Sequence, residues 1–127
     1  MDKPRPKLLI VEDEEALANV LFNKFERSGF EVHRSSTGRQ AMDAMDADSF
    51  DIILLDICMP GMDGIAVLAE KGKSLKGKSV VYVLTNIGDE KKLCEARELG
   101  AKECLVKANI SLSDLVEKVK KEVGMSI

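Results

Sequence analysis

The alternation of short apolar runs with segments of helical periodicity constrains the fold of this chain more than any other feature. Residues 7–11 are a lysine followed by four apolar residues, a short run of the kind that builds a buried strand. In the next segment, Leu17, Val20, Leu21 and Phe25 recur at the spacing of one helix face. The same alternation continues to the end of the chain. It predicts strand–helix–strand crossovers, which build a parallel sheet with helices on both faces.

The pattern predicts five strands and five helices in one domain that spans residues 1–127. The predicted strands cover residues 7–11, 30–34, 51–55, 80–84 and 103–106. The predicted helices cover residues 14–28, 38–47 and 65–71, then a segment from an N-cap at Asp89 to Gly100, and a last one that starts near Ser111. The predicted fold class is therefore α/β, with a doubly wound parallel sheet.

The amino-acid composition limits the kinds of molecule that this protein is expected to bind. The 127 residues are 45% apolar, which is enough for a buried core, and only 4% aromatic, and the net charge is −3. A mildly acidic surface with few aromatic rings argues against direct binding of nucleic acid. No apolar run reaches the length of a membrane span, and the N-terminus has no signal-peptide pattern, so we expect a cytoplasmic protein without a membrane partner. The cysteines, an odd number without metal or redox spacing, are expected to be reduced: Cys58, Cys94 and Cys104.

Polar side chains follow four of the predicted strands. In doubly wound sheets, ligands bind beyond the carboxyl ends of the strands, so these residues are candidates for one site: Glu12, Asp13, Asp56, Thr85 and Lys107. Taken singly, the aspartate at 13 could be only a helix N-cap, the threonine a turn residue and the lysine a solvated side chain. Their joint occurrence favours a site. Clustered carboxylates require a compensating cation, and oxygen ligands suit Mg²⁺ first.

Four segments resemble the receiver domain of two-component response regulators. They are Val11-Glu12-Asp13-Glu14, the stretch from Leu54 to Gly64 with its Asp-x-x-Met-Pro-Gly-Met-Asp-Gly pattern, Leu84-Thr85 and Leu105-Val106-Lys107. The resemblance implies a flavodoxin-like three-layer sandwich with strand order 2-1-3-4-5. It also implies Asp56 as phosphoacceptor and Mg²⁺ or Mn²⁺ held by Glu12, Asp13, Asp56 and the Cys58 carbonyl. Thr85 and Lys107 would contact the phosphoryl group.

The resemblance also implies partners. The phosphoryl donor would be a sensor histidine kinase or a phosphotransfer protein, and the recipient of the signal would be a downstream effector protein or domain. A phosphorylation-dependent homodimer is compatible with the family. The protein would not be a turnover enzyme, because it would catalyse only its own phosphorylation and dephosphorylation. The alternative is a degenerate receiver that acts as a phosphorylation-independent scaffold, which the intact set of five site residues disfavours.

Two other sequence features suggest different functions, but the evidence for them is weaker. Residues 72–79 match the phosphate-binding P-loop pattern, but a predicted helix precedes them and a strand follows, which is the reverse of a P-loop. His33, the single histidine, falls on a predicted edge strand, where pairing with a cysteine nucleophile is implausible.

The chain also departs from the family at three positions. Family members often have an aromatic residue at the position of Cys104, usually a proline at the position of Ala108, and often a smaller residue at the position of Asn86. These departures bear on output coupling rather than on phosphorylation.

Overall fold

The computed structural model describes residues 4–59, 61, 63–75, 77–86 and 90–125. Its five strands are β1 (Lys7–Val11), β2 (Glu31–Ser35), β3 (Ile52–Asp56), β4 (Val80–Thr85) and β5 (Glu103–Val106). Its five α-helices are α1 (Glu15–Arg27), α2 (Gly38–Ala47), α3 (Gly64–Leu75), α4 (Glu90–Glu98) and α5 (Leu112–Glu122). A short 3₁₀ turn, Lys107–Asn109, follows β5.

All strand pairs are parallel, and the order across the sheet is β2-β1-β3-β4-β5. The predicted fold class and strand order are therefore confirmed. The register places Asp56 beside Leu84 and Thr85 beside Val106. Because every strand points the same way, all five carboxyl ends meet at one edge of the sheet, where the candidate residues were expected.

The core lies in two layers, one on each face of the sheet. Alternate residues of the strands face opposite sides, so Leu9 and Val11 contribute to one layer while Leu8 and Ile10 contribute to the other. The first layer packs against α2, α3 and α4, and the second packs against α1 and α5. The strand β3 is buried along its whole length because it lies at the centre of the sheet.

Capping side chains define two helix starts. The Thr37 hydroxyl accepts a hydrogen bond from the Gln40 backbone N–H at the start of α2, a cap that the sequence reading did not assign. At the start of α5, the Ser111 hydroxyl accepts from the Asp114 N–H, at the residue where the sequence predicted that this helix starts. The proposed cap at Asp89 lies outside the described residues.

Helix α3 is longer than predicted, because it continues past residue 71 to Leu75. A Cβ atom at Gly72 would lie 2.3 Å from the Leu99 carbonyl oxygen, so this glycine lets the helix pass close to the turn after α4. The P-loop pattern therefore begins inside the last turn of a helix, and β4 starts directly after it at Val80. That arrangement offers no helix N-terminus to a phosphate; Lys76 of the pattern lies outside the described residues.

No helix in the described part of the chain is both long and apolar enough to cross a membrane.

Candidate functional site

Three carboxylates meet at the carboxyl edge of the sheet. Glu12 follows β1, Asp13 is the next residue, and Asp56 ends β3. One oxygen from each of the three lies within 4.8 Å of the others. Glu12 and Asp56 are buried, with 3% and 4% of their surface exposed, whereas Asp13 is exposed to solvent. This all-oxygen cluster has the ligand chemistry that hard divalent cations prefer.

The Lys107 ammonium group reaches into the same cluster from the end of β5. Its Nζ atom lies 2.6 Å from Glu12 Oε1 and 3.4 Å from Asp56 Oδ2. Two strand ends that are far apart in the chain are thereby joined by an ion pair with little exposure to solvent. The lysine supplies part of the positive charge that the buried acids require.

The electrostatics of this pair are set by burial and by close opposite charge. Burial raises the pKa of the Glu12 carboxyl, and the Lys107 ammonium and the Glu14 backbone N–H oppose that shift. Burial also acts to lower the pKa of Lys107, but the hydrogen bond to Glu12 and the charge of Asp56 outweigh it, so the pKa of the lysine is raised. The lysine is therefore charged at neutral pH.

The carboxylate of Asp56 is oriented by the backbone of the following loop. The Cys58 N–H donates a hydrogen bond to Asp56 Oδ1 over 2.9 Å, which leaves Oδ2 facing Lys107. The backbone at this strand end is also packed closely against the start of α3. A Cβ atom on Gly64 would lie 2.5 Å from the Asp56 carbonyl oxygen and 2.7 Å from the Ile57 Cα.

Gly64 is therefore a site residue that the sequence reading did not single out. Only a residue without a Cβ lets the N-terminus of α3 approach the strand end so closely. The glycine could have been predicted as a site residue, because it belongs to the Asp-Gly pair that ends the family pattern. The preceding Asp63 accepts a hydrogen bond from the Ala66 N–H and so caps the same helix.

Thr85 lies at the end of β4, fully buried, and its hydroxyl oxygen is 3.7 Å from the Cys58 sulfur. The structure thus brings the side chain of every predicted site residue to one edge of the sheet. Beside the acids lies an open cleft of about 410 Å³, lined in part by Glu12, Asp13 and Arg34. This cleft gives solvent access to Glu12 and Asp13, while Asp56 is not among its lining residues.

Comparison with known proteins identifies the family. The model of the family "Response regulator receiver domain" matches residues 8–120, which is most of the chain. The chain belongs to the response regulator receiver domain family.

The receiver domain is 34% identical over 95 residues to sporulation initiation phosphotransferase F of Bacillus subtilis, and the match covers 75% of this chain and 76% of that protein. It is 36% identical over 114 residues to the transcriptional regulatory protein SrrA of Staphylococcus aureus, which covers 90% of this chain and 46% of SrrA. The chain thus spans about half the length of SrrA.

Solved receiver structures have the same fold. The response regulator TrrA of Thermotoga maritima, determined in complex with Mg²⁺ and BeF, aligns with a TM-score of 0.81 and 28% identity, covering 92% of this chain and 98% of that one. A CheY-like receiver domain protein of Methanospirillum hungatei aligns with a TM-score of 0.89 over 95% of each chain; at 24% identity it supports the fold alone. This chain is accordingly a receiver domain of the kind used in two-component phosphorelay signalling.

Proposed function

We propose that Asp56 is the phosphoacceptor and that this receiver domain switches protein–protein contacts when it is phosphorylated. The observation that carries the proposal is the geometry of Asp56, whose carboxylate is buried at the centre of the carboxyl edge between a cationic Lys107 and two further acids. The carboxylate oxygen would attack phosphorus, forming an acyl phosphate while the donor's bond to phosphorus breaks and its electron pair leaves with the donor. A phosphohistidine on a kinase or a phosphotransfer protein is the donor that the family implies.

The three acids fit a hard divalent cation. Glu12, Asp13 and Asp56 would hold Mg²⁺ or Mn²⁺, with the Cys58 carbonyl as a further oxygen ligand. When bound, the cation supplies positive charge against the oxygens of the transferring phosphoryl group. The similar response regulator TrrA was solved in complex with Mg²⁺ and BeF, which supports Mg²⁺ as the cation. The exposure of Asp13 leaves one side of the cluster accessible to solvent and to ions.

Two side chains would contact the transferred group. Lys107 lies 3.4 Å from Asp56 Oδ2, so its ammonium is close to the position where phosphoryl oxygens gain negative charge. Thr85 lies on the neighbouring strand, and its hydroxyl would donate a hydrogen bond to a phosphoryl oxygen. Formation of this hydrogen bond would draw Thr85 toward the phosphoryl group. The loop after β4 would move with Thr85, and this movement would link phosphorylation to α4.

The experiment is the mass of the intact protein before and after incubation with acetyl phosphate and Mg²⁺. We expect the wild type to gain one phosphoryl group, and the gain to disappear when the cation is chelated. Asp56→Asn removes the nucleophilic oxygen at nearly constant size and should abolish the gain. Wild-type phosphorylation of this variant would refute the assignment.

Asp51→Asn is a matched control, because Asp51 precedes β3 and lies at the opposite end of the same strand, exposed to solvent. This variant should be phosphorylated like the wild type. A chain that takes up no phosphoryl group from acetyl phosphate or from any phosphohistidine donor, yet binds a partner in the same way with and without donor, would instead support the scaffold alternative. The intact residues of the site favour the phosphorylated switch.

A further inference from the structure

A second cluster of metal-ligating side chains lies at the opposite edge of the molecule. Glu31 and His33 are two residues apart on the edge strand β2, so both side chains lie on the same face. Asp48, directly after α2, joins them, and one ligand atom from each of the three lies within 4.8 Å of the others. The cluster sits near the amino ends of the strands, away from Asp56, and the receiver function does not use it.

Each of the three side chains is held in place by a specific contact. The His33 Nε2 atom lies 2.8 Å from Glu31 Oε2. The His33 ring also packs edge-on against Phe50 at a centroid distance of 5.4 Å. Asp48 Oδ1 accepts a hydrogen bond of 2.8 Å from the Ser49 N–H. The cluster is therefore a partly preformed donor set on rigid elements, half-buried rather than fully exposed.

The ammonium group of a lysine side chain contacts both carboxylates of the cluster. The ammonium of Lys7, on the neighbouring strand β1, lies 2.8 and 2.9 Å from the two carboxylate oxygens of Asp48 and 3.9 Å from Glu31 Oε2. The hydrogen bond from His33 lowers the pKa of Glu31, and the hydrogen bond from Lys7 lowers the pKa of Asp48. Two carboxylates against one ammonium leave a net negative charge that attracts a further cation.

We infer that Glu31, His33 and Asp48 form a binding site for a divalent transition-metal cation of the Zn²⁺ class, which exchanges with the Lys7 ammonium. One imidazole and two carboxylates form a mixed nitrogen–oxygen set that suits Zn²⁺, with water completing the coordination. Because Nε2 of His33 carries the proton of its hydrogen bond to Glu31 before the metal binds, coordination through this nitrogen releases that proton to solvent. Ligand atoms around tetrahedral zinc lie about 3.4 Å apart, so the observed spacing requires side-chain shifts on the order of 1 Å. The metal would tie β2 to the end of α2.

The chemistry of the two clusters predicts that they select different metals. The acids around Asp56 offer only oxygen, which suits Mg²⁺, whereas the second cluster includes an imidazole nitrogen, which hard cations avoid. Lys7 is about one-third exposed, so its side chain can move into solvent when the metal enters. The ammonium therefore weakens metal binding without blocking it, and its removal should strengthen binding.

The test follows the imidazole signals of His33 by nuclear magnetic resonance while Zn²⁺ is added to the untagged protein. Because His33 is the single histidine, its signals report this cluster alone, and zinc bound at a cysteine does not enter the measurement. We expect saturable shifts with Zn²⁺ and none with the same concentration of Mg²⁺. Absence of a shift at millimolar Zn²⁺ would overturn the inference.

Variants with opposite expected effects sharpen the test. Lys7→Met keeps the aliphatic stem but removes the competing charge, and the Zn²⁺ affinity read from His33 should rise on the order of tenfold. Asp48→Asn removes one anionic ligand, so the affinity should fall by a similar factor. Asp56→Asn, at the other edge, should leave the affinity unchanged. Equal affinities for the wild type, Lys7→Met and Asp48→Asn would contradict the site, as would a loss of His33 shifts in Asp56→Asn.

Discussion

The Lys107 ammonium nitrogen lies closer to Glu12, at 2.6 Å, than to Asp56, at 3.4 Å. The lysine thus interacts most closely with an acid that we assign to the metal site, rather than with Asp56, the proposed phosphoacceptor. A divalent cation that binds Glu12 competes with this ion pair. Lys107 would then be released toward Asp56 and the phosphoryl group.

The first prediction concerns Lys107→Met measured with and without Mg²⁺. Without a divalent cation, the variant should lose about 1–3 kcal/mol of stability, because two buried acids lose their hydrogen-bonded charge partner. The cost stays moderate because Glu12, whose pKa is already raised by burial, can take up a proton. Mg²⁺ should then raise the melting temperature more in the variant than in the wild type, because the cation no longer competes with the lysine.

Lys118→Met is the matched control for that measurement. Lys118 forms an ion pair of 3.0 Å with Glu103, away from the acidic cluster and more exposed. Its removal should change stability by less than about 1 kcal/mol and leave the response to Mg²⁺ unaltered. A melting temperature that does not respond to millimolar Mg²⁺ in the wild type or in Lys107→Met would contradict the metal site.

The second prediction concerns the route of the switch. Cys104 occupies the β5 position that is often aromatic in the family, and its sulfur lies 3.6 Å from the Leu93 carbonyl oxygen of α4. A thiol is too small to alternate between a buried and an exposed ring position. We therefore expect a phosphoryl mimic such as BeF₃⁻ with Mg²⁺ to shift amide signals most at Lys107 and between Asn86 and Leu99. Residues 87–89 of this segment lie outside the described part. Shifts confined to the acidic cluster would favour the scaffold alternative.

The third prediction concerns the lifetime of the phosphoryl group. Hydrolysis needs an oriented water, and the resemblance to the family implies that Cys58 and Ile87 are the two residues that would flank its approach. A thiol is a weak acceptor and isoleucine has no polar atom, so neither can act as an effective base, and phosphorylated Asp56 should decay slowly. General-base assistance typically contributes about 10²–10⁴-fold. Ile87 lies outside the described residues, and the Cys58 sulfur lies 3.7 Å from the Thr85 hydroxyl.

The measurement is the decay of purified phosphorylated protein without kinase or phosphatase. Cys58→Asn and Ile87→Glu should both decay faster than the wild type. Cys94→Asn, which alters another exposed cysteine, on α4, should decay at the wild-type rate. Equal decay of wild type, Cys58→Asn and Ile87→Glu would show that the flanking pair does not determine the lifetime.

The fourth prediction concerns stability at alkaline pH. The Tyr82 hydroxyl donates a hydrogen bond of 3.0 Å to Glu122 Oε1, and burial together with this carboxylate raises the pKa of the phenol. The ordinary pKa of tyrosine is about 10. Because the folded state disfavours the charged phenolate, this contribution to stability is complete below that pH and is lost as the pH rises above it.

Tyr82 is the single tyrosine, so phenolate absorbance reports its titration directly. The folded protein should titrate at higher pH than the urea-unfolded protein. Tyr82→Phe should lose about 0.5–1.5 kcal/mol at neutral pH through the missing hydrogen bond, and should lose stability less steeply above pH ~10. Identical titration curves for folded and unfolded protein would contradict the buried environment.

The sequence by itself determined the fold class and the element order, because these depend on local patterns. A buried strand is a mostly apolar run, and a helix repeats its apolar face, so both are visible over short windows. Asp56 was predicted as a site residue because it stands at the end of an apolar run, within a motif that resembles the receiver family.

Relationships between distant residues were decided only by the tertiary structure. Three such relationships stand out: Lys107 lies closest to Glu12, Gly64 packs closely against Asp56, and His33 lies near Asp48. In each case the two residues belong to different segments, and the distance between them depends on how strands and helices pack. The extra turn of α3 likewise depends on Gly72 passing close to Leu99. No local pattern encodes such distances, because burial and ion pairing depend on the whole packed sheet.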